Sequence, residues 1–183
     1  IIGKGEPDFS GGFSLSAGYK GFSLSAIFQY SYGVDVFNAN LATLDAGREN
    51  YNQTRHLLDS YTPTLYDLNG NLVYQGNPNG KYRLPGGVAE NYCLSEFIED
   101  GSFLRLSDIT LAYDFNRKTL AKLHLGGLRL FLTGRNLFVW TKYYGFDPEV
   151  NTRQNGIGDI MPSLDYGSYP RARAFSFGVN VSF

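Results

Sequence analysis

Cysteine is almost absent. Cys93 is the only one in 183 residues, so no intrachain disulfide can staple the chain. Charge is scarce as well: Asp, Glu, Lys and Arg make up 18% of the residues, below the usual quarter. The formal net charge of -1 supplies no field to draw in nucleic acid, and no nucleic-acid partner is expected. The two histidines, His56 and His124, have no metal-ligand neighbour at a standard spacing. No P-loop and no G-x-S-x-G elbow occurs, and Cys93 stands beside Tyr92 with no assigned base. No catalytic residue, cofactor or metal is expected. No apolar run approaches the ~18 residues of a transmembrane helix. That leaves transmembrane strands open, because a barrel strand turns half its residues to a polar lumen and keeps a modest hydropathy.

The chain opens "IIGKGEPDF", without Met, basic leader or apolar leader, and reads as a mature or internal piece. Aromatics, by contrast, are abundant at 16% and spread along the chain. They fall in runs of strict alternation. "FSGGFSLSAGY" puts Phe9, Phe13, Leu15, Ala17 and Tyr19 on one face, with Ser and Gly on the other. "FSLSAIFQYSY" repeats this with Phe22, Leu24, Ala26, Phe28, Tyr30 and Tyr32, and only Lys20 and Gly21 separate the two runs. "SFLRLSDITLAYDF" is a third run, in which Leu104 and Leu106 stand out of phase with Ile109, Leu111, Tyr113 and Phe115. A bulge or a change of environment is expected between them. "LRLFLTGRNLFVW" is the fourth, with Leu128, Leu130, Leu132, Phe138 and Trp140 on the apolar parity. The fifth ends the chain: Phe175, Phe177, Val179, Val181 and Phe183 alternate with Ser176, Gly178, Asn180 and Ser182.

The pattern predicts five strands, at about 9–19, 22–32, 102–115, 128–140 and 171–183. The connections alternate short, long, short, long. The long ones cover about 33–101 and 141–170. This is the pattern of an outer-membrane antiparallel β-barrel, with short turns on the periplasmic side and long loops outside. It places the C-terminus in the periplasm. Rings cluster where strands would leave a bilayer: Tyr19, Phe22, Phe115 and Phe183 at one interface, and Phe9, Tyr32, Trp140, Tyr143 and Tyr144 at the other. In the first long loop, Phe37, Leu41, Leu44, Tyr51 and Leu58 follow helical spacing, predicting a helix over 39–59 weakened at Gly47. "NGNLVYQGNPNG" suggests a small hairpin and "NRKTLAKL" one helical turn. The acidic residues Asp147, Glu149, Asp159 and Asp165 read as solvated loop residues with Asp-Pro turn chemistry, a ligand site being the weaker alternative.

"GSFLRLSDITLAYDF", "LRLFLTGRNLFVWTKYYGFDPEVN" and "LDYGSYPRARAFSFGVNVSF" together resemble the C-terminal end of SusC/RagA-type TonB-dependent outer-membrane transporters. "PDFSGGFSLSAGYKGFSLSAIFQYSYGVDVFNA" resembles the barrel hairpin before it. The most specific part is Arg135 to Val150. Two departures stand out: Tyr61, Thr62 and Pro63 occupy the place of the family's frequent Trp-Thr-Pro, and Leu65 to Glu99 matches nothing in the family. The resemblance implies a 22-stranded barrel with an N-terminal plug and an energised link to TonB, both outside these residues. It further implies a SusD-like lipoprotein partner and a glycan or peptide cargo. It makes Phe183, with Phe177 and Val181, a signal to the barrel-assembly machinery. Tyr143, Tyr144, Phe146 and Tyr169 become candidate contacts to partner or cargo. Physics requires more strands, since five cannot close a barrel and open edges in lipid cost several kcal/mol per unpaired backbone group. The rival readings are a non-transporting barrel or adhesin, a small passive barrel and, more remotely, a barrel hydrolase.

Overall fold

The computed structural model describes residues 2–47, 50, 52–86, 94–116, 120–121, 124–150 and 163–183. Its strands run β1 (Phe9–Tyr19), β2 (Phe22–Tyr32), β3 (Asp35–Asn38), β4 (Leu65–Tyr66), β5 (Leu72–Tyr74), β6 (Ile98–Asp100), β7 (Phe103–Asp114), β8 (Gly127–Thr141), β9 (Leu164–Asp165) and β10 (Ala174–Ser182). One α-helix, α1, covers Ala39–Leu44. The chain divides into two compact units. One holds Lys4–Asp35, Asp100–Glu149 and Tyr169–Phe183; the other holds Ile1–Gly3, Val36–Glu99 and Val150–Ser168.

The first unit is a five-stranded antiparallel sheet in the order β1-β2-β7-β8-β10. Each long strand arises from a period-two run; β1, β2 and β10 bury none of their residues, whereas β7 buries Leu106 and Ala112. Lys20 and Gly21 join β1 to β2 with φ of 48° and 90°, the doubly left-handed turn whose twist matches the flanking strands. Glycine is needed at 21, since a β-carbon there would stand 2.7 Å from the Asp114 carbonyl oxygen.

The phase conflict in the third run resolves as a bulge. Leu106 pairs with Phe28 and Asp108 with Ile27, so Ser107 has no partner across β2. The register shifts again at the same place against β8, where Leu106 faces Phe138 and Asp108 faces Arg135. Ser107 stands outside the alternation, so Leu104 and Leu106 lie on the face that carries Ile109, Leu111 and Tyr113.

Three strands differ in extent from the sequence reading. β7 is a residue shorter at each end, and β8 is a residue longer at each end. β10 ends at Ser182 and begins at Ala174 rather than near Arg171, because Arg171 is held in contacts with the β8–β10 connection.

The second unit has shorter and less regular elements. Its three-stranded sheet has the order β6-β3-β9, with β3 and β9 parallel. Leu41, Ala42 and Phe97 form its core, with Phe37 and Leu94 packed on them. The helix expected over 39–59 is six residues long, and this corrects the reading. Asn38 caps it, accepting the Leu41 N–H at 2.9 Å. It stops at Asp45, and Gly47 takes a φ of 70°. A 3₁₀ helix, Arg55–Asp59, follows with Thr54 as its cap; Tyr51 lies outside the described residues. A hairpin forms from β4 and β5, but only β5 lies in the stretch expected to hold one; its partner strand stands upstream of it. At its tip Asp67 Oδ1 accepts the N–H groups of Asn69 at 2.8 Å and Asn71 at 2.7 Å. In the β7–β8 connection Leu120 and Ala121 are helical and Leu120 is buried; the rest of the expected turn lies outside the described residues.

Candidate functional site

The five-stranded sheet has two chemically opposite faces, and its register makes each one continuous. Phe9 faces Tyr32, Phe13 faces Phe28, Leu24 faces Leu111, Leu111 faces Leu132, and Leu132 faces Phe177. Paired residues point to the same side. One face therefore carries aromatic and aliphatic side chains from β1 to β10; most are exposed within this chain, the others half-buried, with Leu106 alone buried. An apolar surface of that extent does not stay in water. The other face carries Ser14, Ser16, Ser25, Gln29, Thr110, Thr133, Ser176 and Asn180. Its charges are paired across strands: Arg135 with Asp108 at 3.2 Å and Arg129 with Asp114 at 3.5 Å. Thr110 and Thr133 hydroxyls are 2.9 Å apart. A solvated lumen against a lipid exterior is what such a division suits.

Rings gather at both ends of the apolar face. At the end with long connections Phe9 stacks on Tyr32 with centroids 5.1 Å apart, and Phe138 stacks on Trp140 at 6.0 Å. A shallow cleft of about 510 Å³ lies among Phe9, Tyr30, Tyr32 and Trp140. At the short-turn end Phe22 meets Tyr113 at 4.5 Å, and Tyr113 meets Phe115 at 4.8 Å. An eleven-residue strand rising ~3.3 Å per residue and tilted ~45° spans roughly 23 Å between these groups, close to the ~25 Å apolar band of an outer-membrane barrel. Just beyond β6, the Ser102 hydroxyl and then its backbone N–H hold the Asp100 carboxyl below the usual aspartate range. Lys142 adds a smaller pull.

The rim residues separate on inspection. Tyr144, Phe146 and Tyr169 are exposed, Phe146 at 81% and Tyr169 at 92%. Tyr143 is 5% exposed, and its ring lies against Gly145, so it supports the loop from within instead of facing outward. Phe183 is 97% exposed, and the neighbouring Ser182 carbonyl accepts the Gly126 N–H at 2.8 Å. Phe177 and Val181 lie exposed on the apolar face.

The solvated reading of Asp147 is overturned. Asp147 is buried, and its Oδ1 accepts from Arg105 Nη2 at 2.5 Å. Glu149 stands 3.5 Å from Arg105 Nε and accepts from Arg171 Nη2 at 2.6 Å. Sequence reasoning missed Arg105, although a lone arginine between Leu104 and Leu106 on the lumen parity was a usable signal. Asp165 is likewise buried and accepts from Asn40 Nδ2 at 2.9 Å. Asp159, Cys93 and Tyr92 lie outside the described residues. His56 Nδ1 lies 2.9 Å from Asp45 Oδ2, and its ring stacks on Tyr82 at 4.3 Å, which gives it a packing role. His124 sits in a turn with φ of 56°. Among the described residues no group of three or more His, Cys, Asp or Glu could hold a metal ion.

No family model matches the chain. Individual proteins do. TonB-dependent receptor P3 of Formosa agariphila is 35% identical over 185 aligned positions, covering 100% of this chain and 17% of the receptor. TonB-dependent receptor SusC of Bacteroides thetaiotaomicron is 37% identical over 143 positions, covering 77% of this chain and 13% of the receptor. The structure of the RagAB peptide importer in the closed-closed state superposes with a TM-score of 0.74 at 28% identity, covering 100% of this chain and 18% of that one. The chain belongs to the TonB-dependent receptors of the SusC/RagA type. It spans less than a fifth of the length of each of these relatives, from 13% to 18%. In a TonB-dependent receptor the apolar face is the lipid side of the barrel wall, and the localisation that follows is the outer membrane. The wall is not closed within these residues: β1 and β10 each have one unpaired edge.

Proposed function

We propose that the chain is the C-terminal barrel segment of an outer-membrane active transporter. The intact protein imports oligomeric nutrients with energy from TonB, and a SusD-like surface lipoprotein closes over it. The observation that carries this reading is the uninterrupted apolar face of five strands backed by a polar face of paired charges, in a chain whose relatives are named as TonB-dependent receptors and a peptide importer. The connections β2–β7 and β8–β10 leave the sheet at one end and lie outside the cell; the C-terminus lies in the periplasm. Tyr144, Phe146 and Tyr169 contribute to the seat for the lipoprotein or its cargo, where exposed rings supply binding energy at low entropic cost. Phe183, with Phe177 and Val181, is read by the barrel-assembly machinery.

The cargo is a glycan or a peptide oligomer, and one experiment separates these and tests the whole reading. Cells carrying or lacking the intact receptor are offered labelled oligosaccharides and peptides, each with TonB present or disabled. Uptake of one class that needs both the receptor and TonB is expected. Equal uptake in all four backgrounds overturns the transporter reading in favour of a non-transporting barrel. Loss of intact receptor from the outer membrane on deleting Phe183 tests the assembly signal, and unchanged insertion removes it.

A further inference from the structure

Arg105 sits on the polar face of β7, opposite Gln29 on one side and Val139 on the other. A lumen-facing arginine ordinarily keeps its guanidinium in water. This one is 3% exposed, its Cζ lying 5.4 Å over the Phe103 ring. Desolvating a guanidinium is costly unless carboxylates face it in good geometry. Two carboxylates face it, both from one short turn, Asp147-Pro148-Glu149: Asp147 takes a hydrogen bond, whereas the buried Nε has no hydrogen-bond partner among the described residues and only the Glu149 charge beside it. Asp147 Oδ1 takes Arg105 Nη2 at 2.5 Å and the Glu149 N–H at 3.0 Å. Glu149 Oε2 stands 3.5 Å from Arg105 Nε. The far end of the same connection closes on the turn as well. Arg171 Nη2 donates to Glu149 Oε1 at 2.6 Å, and the Arg171 N–H approaches Asp147 Oδ2 at 3.5 Å. One side chain of β7 thus gathers both ends of the β8–β10 connection. Phe146 precedes Asp147 directly, and Tyr169 lies two residues before Arg171.

We infer that Arg105 is a positioning residue. Acting through Asp147 and Glu149, it locks the base of the β8–β10 connection and so fixes the exposed rings of Phe146 and Tyr169 at the rim. The lock itself stands on geometry alone; its consequence for uptake rests on the proposed function.

The test uses the intact receptor in outer-membrane vesicles. Chymotrypsin cleavage after Tyr144 and Phe146 is mapped by mass spectrometry, and heat-modifiable mobility reports whether the barrel is folded. Arg105→Met should raise cleavage at these two sites about tenfold or more, since cleavage follows the population of the opened loop. Mobility and membrane abundance should stay unchanged. Arg105→Lys, which keeps the charge without the planar fork, should fall between wild type and Arg105→Met. Arg135→Met, which removes the partner of an exposed pair, should leave these sites unchanged. Wild-type cleavage in Arg105→Met overturns the lock. If Arg105→Met fails to insert, Glu149→Gln decides: Glu149 is 37% exposed, so its neutral form folds, and raised cleavage supports the lock while unchanged cleavage overturns it. Uptake of the receptor's cargo is measured alongside. A higher half-saturation concentration at an unchanged maximal rate is expected. Raised cleavage with unaltered uptake leaves the lock standing and removes the rim rings from the proposed function.

Discussion

Phe131 lies over Gly178. The two are cross-strand partners on the polar face of β8 and β10, and a β-carbon at 178 would stand 2.2 Å from the tip of the ring. The ring covers a strand position that has no side chain of its own, one of the few aromatics turned to the polar side. Gly178→Val should push the ring aside and strain the last strand pairing, at about 1–3 kcal/mol, the usual range for overpacking. Urea titration of the refolded intact barrel in lipid vesicles measures it. Adding Phe131→Leu should recover most of the loss, and a double variant as unstable as Gly178→Val alone would show that the contact is not the cause.

The two faces of β10 should respond oppositely to charge. Val179 pairs with Leu130 on the apolar side, and Ser176 pairs with Thr133 on the polar side. Val179→Arg should cost roughly 2–4 kcal/mol near the bilayer midplane, and Ser176→Arg well under half of that. Asn180 is the poorer control, because it sits opposite Arg129 and an arginine there would add repulsion. Equal losses on folding into vesicles would reverse the assignment of lipid and lumen sides.

Ser107 makes a sharper demand. It is the inserted residue of the β7 bulge, and its hydroxyl is buried without a hydrogen-bond partner among the described residues. The hydroxyl does nothing for the fold, so Ser107→Ala should change stability by less than about 1 kcal/mol, with a small gain as the favoured sign. The faces do not depend on the residue either. Without Ser107 the run Leu104-Arg105-Leu106-Asp108-Ile109 alternates strictly against Ile27 and Phe28, so both leucines stay on the lipid side. Insertion of the intact receptor should therefore stay near normal in the deletion as in Ser107→Ala. A sharp fall on deletion alone would show that the wall needs the bend the bulge provides.

The same bulge shows why the strands were legible and other features were not. Period-two alternation reports directly on a sheet with lipid on one side and water on the other, so β1 and β2 could be bounded from Phe9 to Tyr32 by eye. Even the bulge left a trace, as Leu104 and Leu106 out of phase with Ile109. The helix was overdrawn because Leu41, Leu44 and Leu58 keep a helical period, which counts apolar positions and overlooks the turn at Asp45 and Gly47. The Arg105–Asp147 pair left only half a trace, the arginine standing between Leu104 and Leu106: its partners are 42 residues apart, and an Asp-Pro dipeptide reads as an ordinary surface turn. Tyr143 illustrates the same limit, since nothing nearby distinguishes the buried ring from the exposed one at Tyr144.

The tip of the β4–β5 hairpin should loosen in acid. Asp67 is held below the ordinary aspartate range, first by the Asn71 side chain and then by the Asn71 backbone N–H, with lesser help from Asn69 and Gly70. The carboxylate form makes these bonds. A carboxyl whose folded pKa lies below its unfolded value adds stability above the unfolded value, near 4, and loses it as pH falls through the folded value. The hairpin is therefore expected to be unaffected from neutral pH down to about 4 and to open progressively below that. The group is fully solvated, so the effect stays local. Amide hydrogen exchange at Asn69 and Asn71, whose N–H groups donate to Asp67 Oδ1, is the direct readout. After correction for intrinsic pH dependence, protection at these two amides should fall across the acid window. In Asp67→Asn, protection should be lower throughout and flat with pH. A wild-type profile as flat as the variant's would show that the ionised carboxylate does not organise this turn.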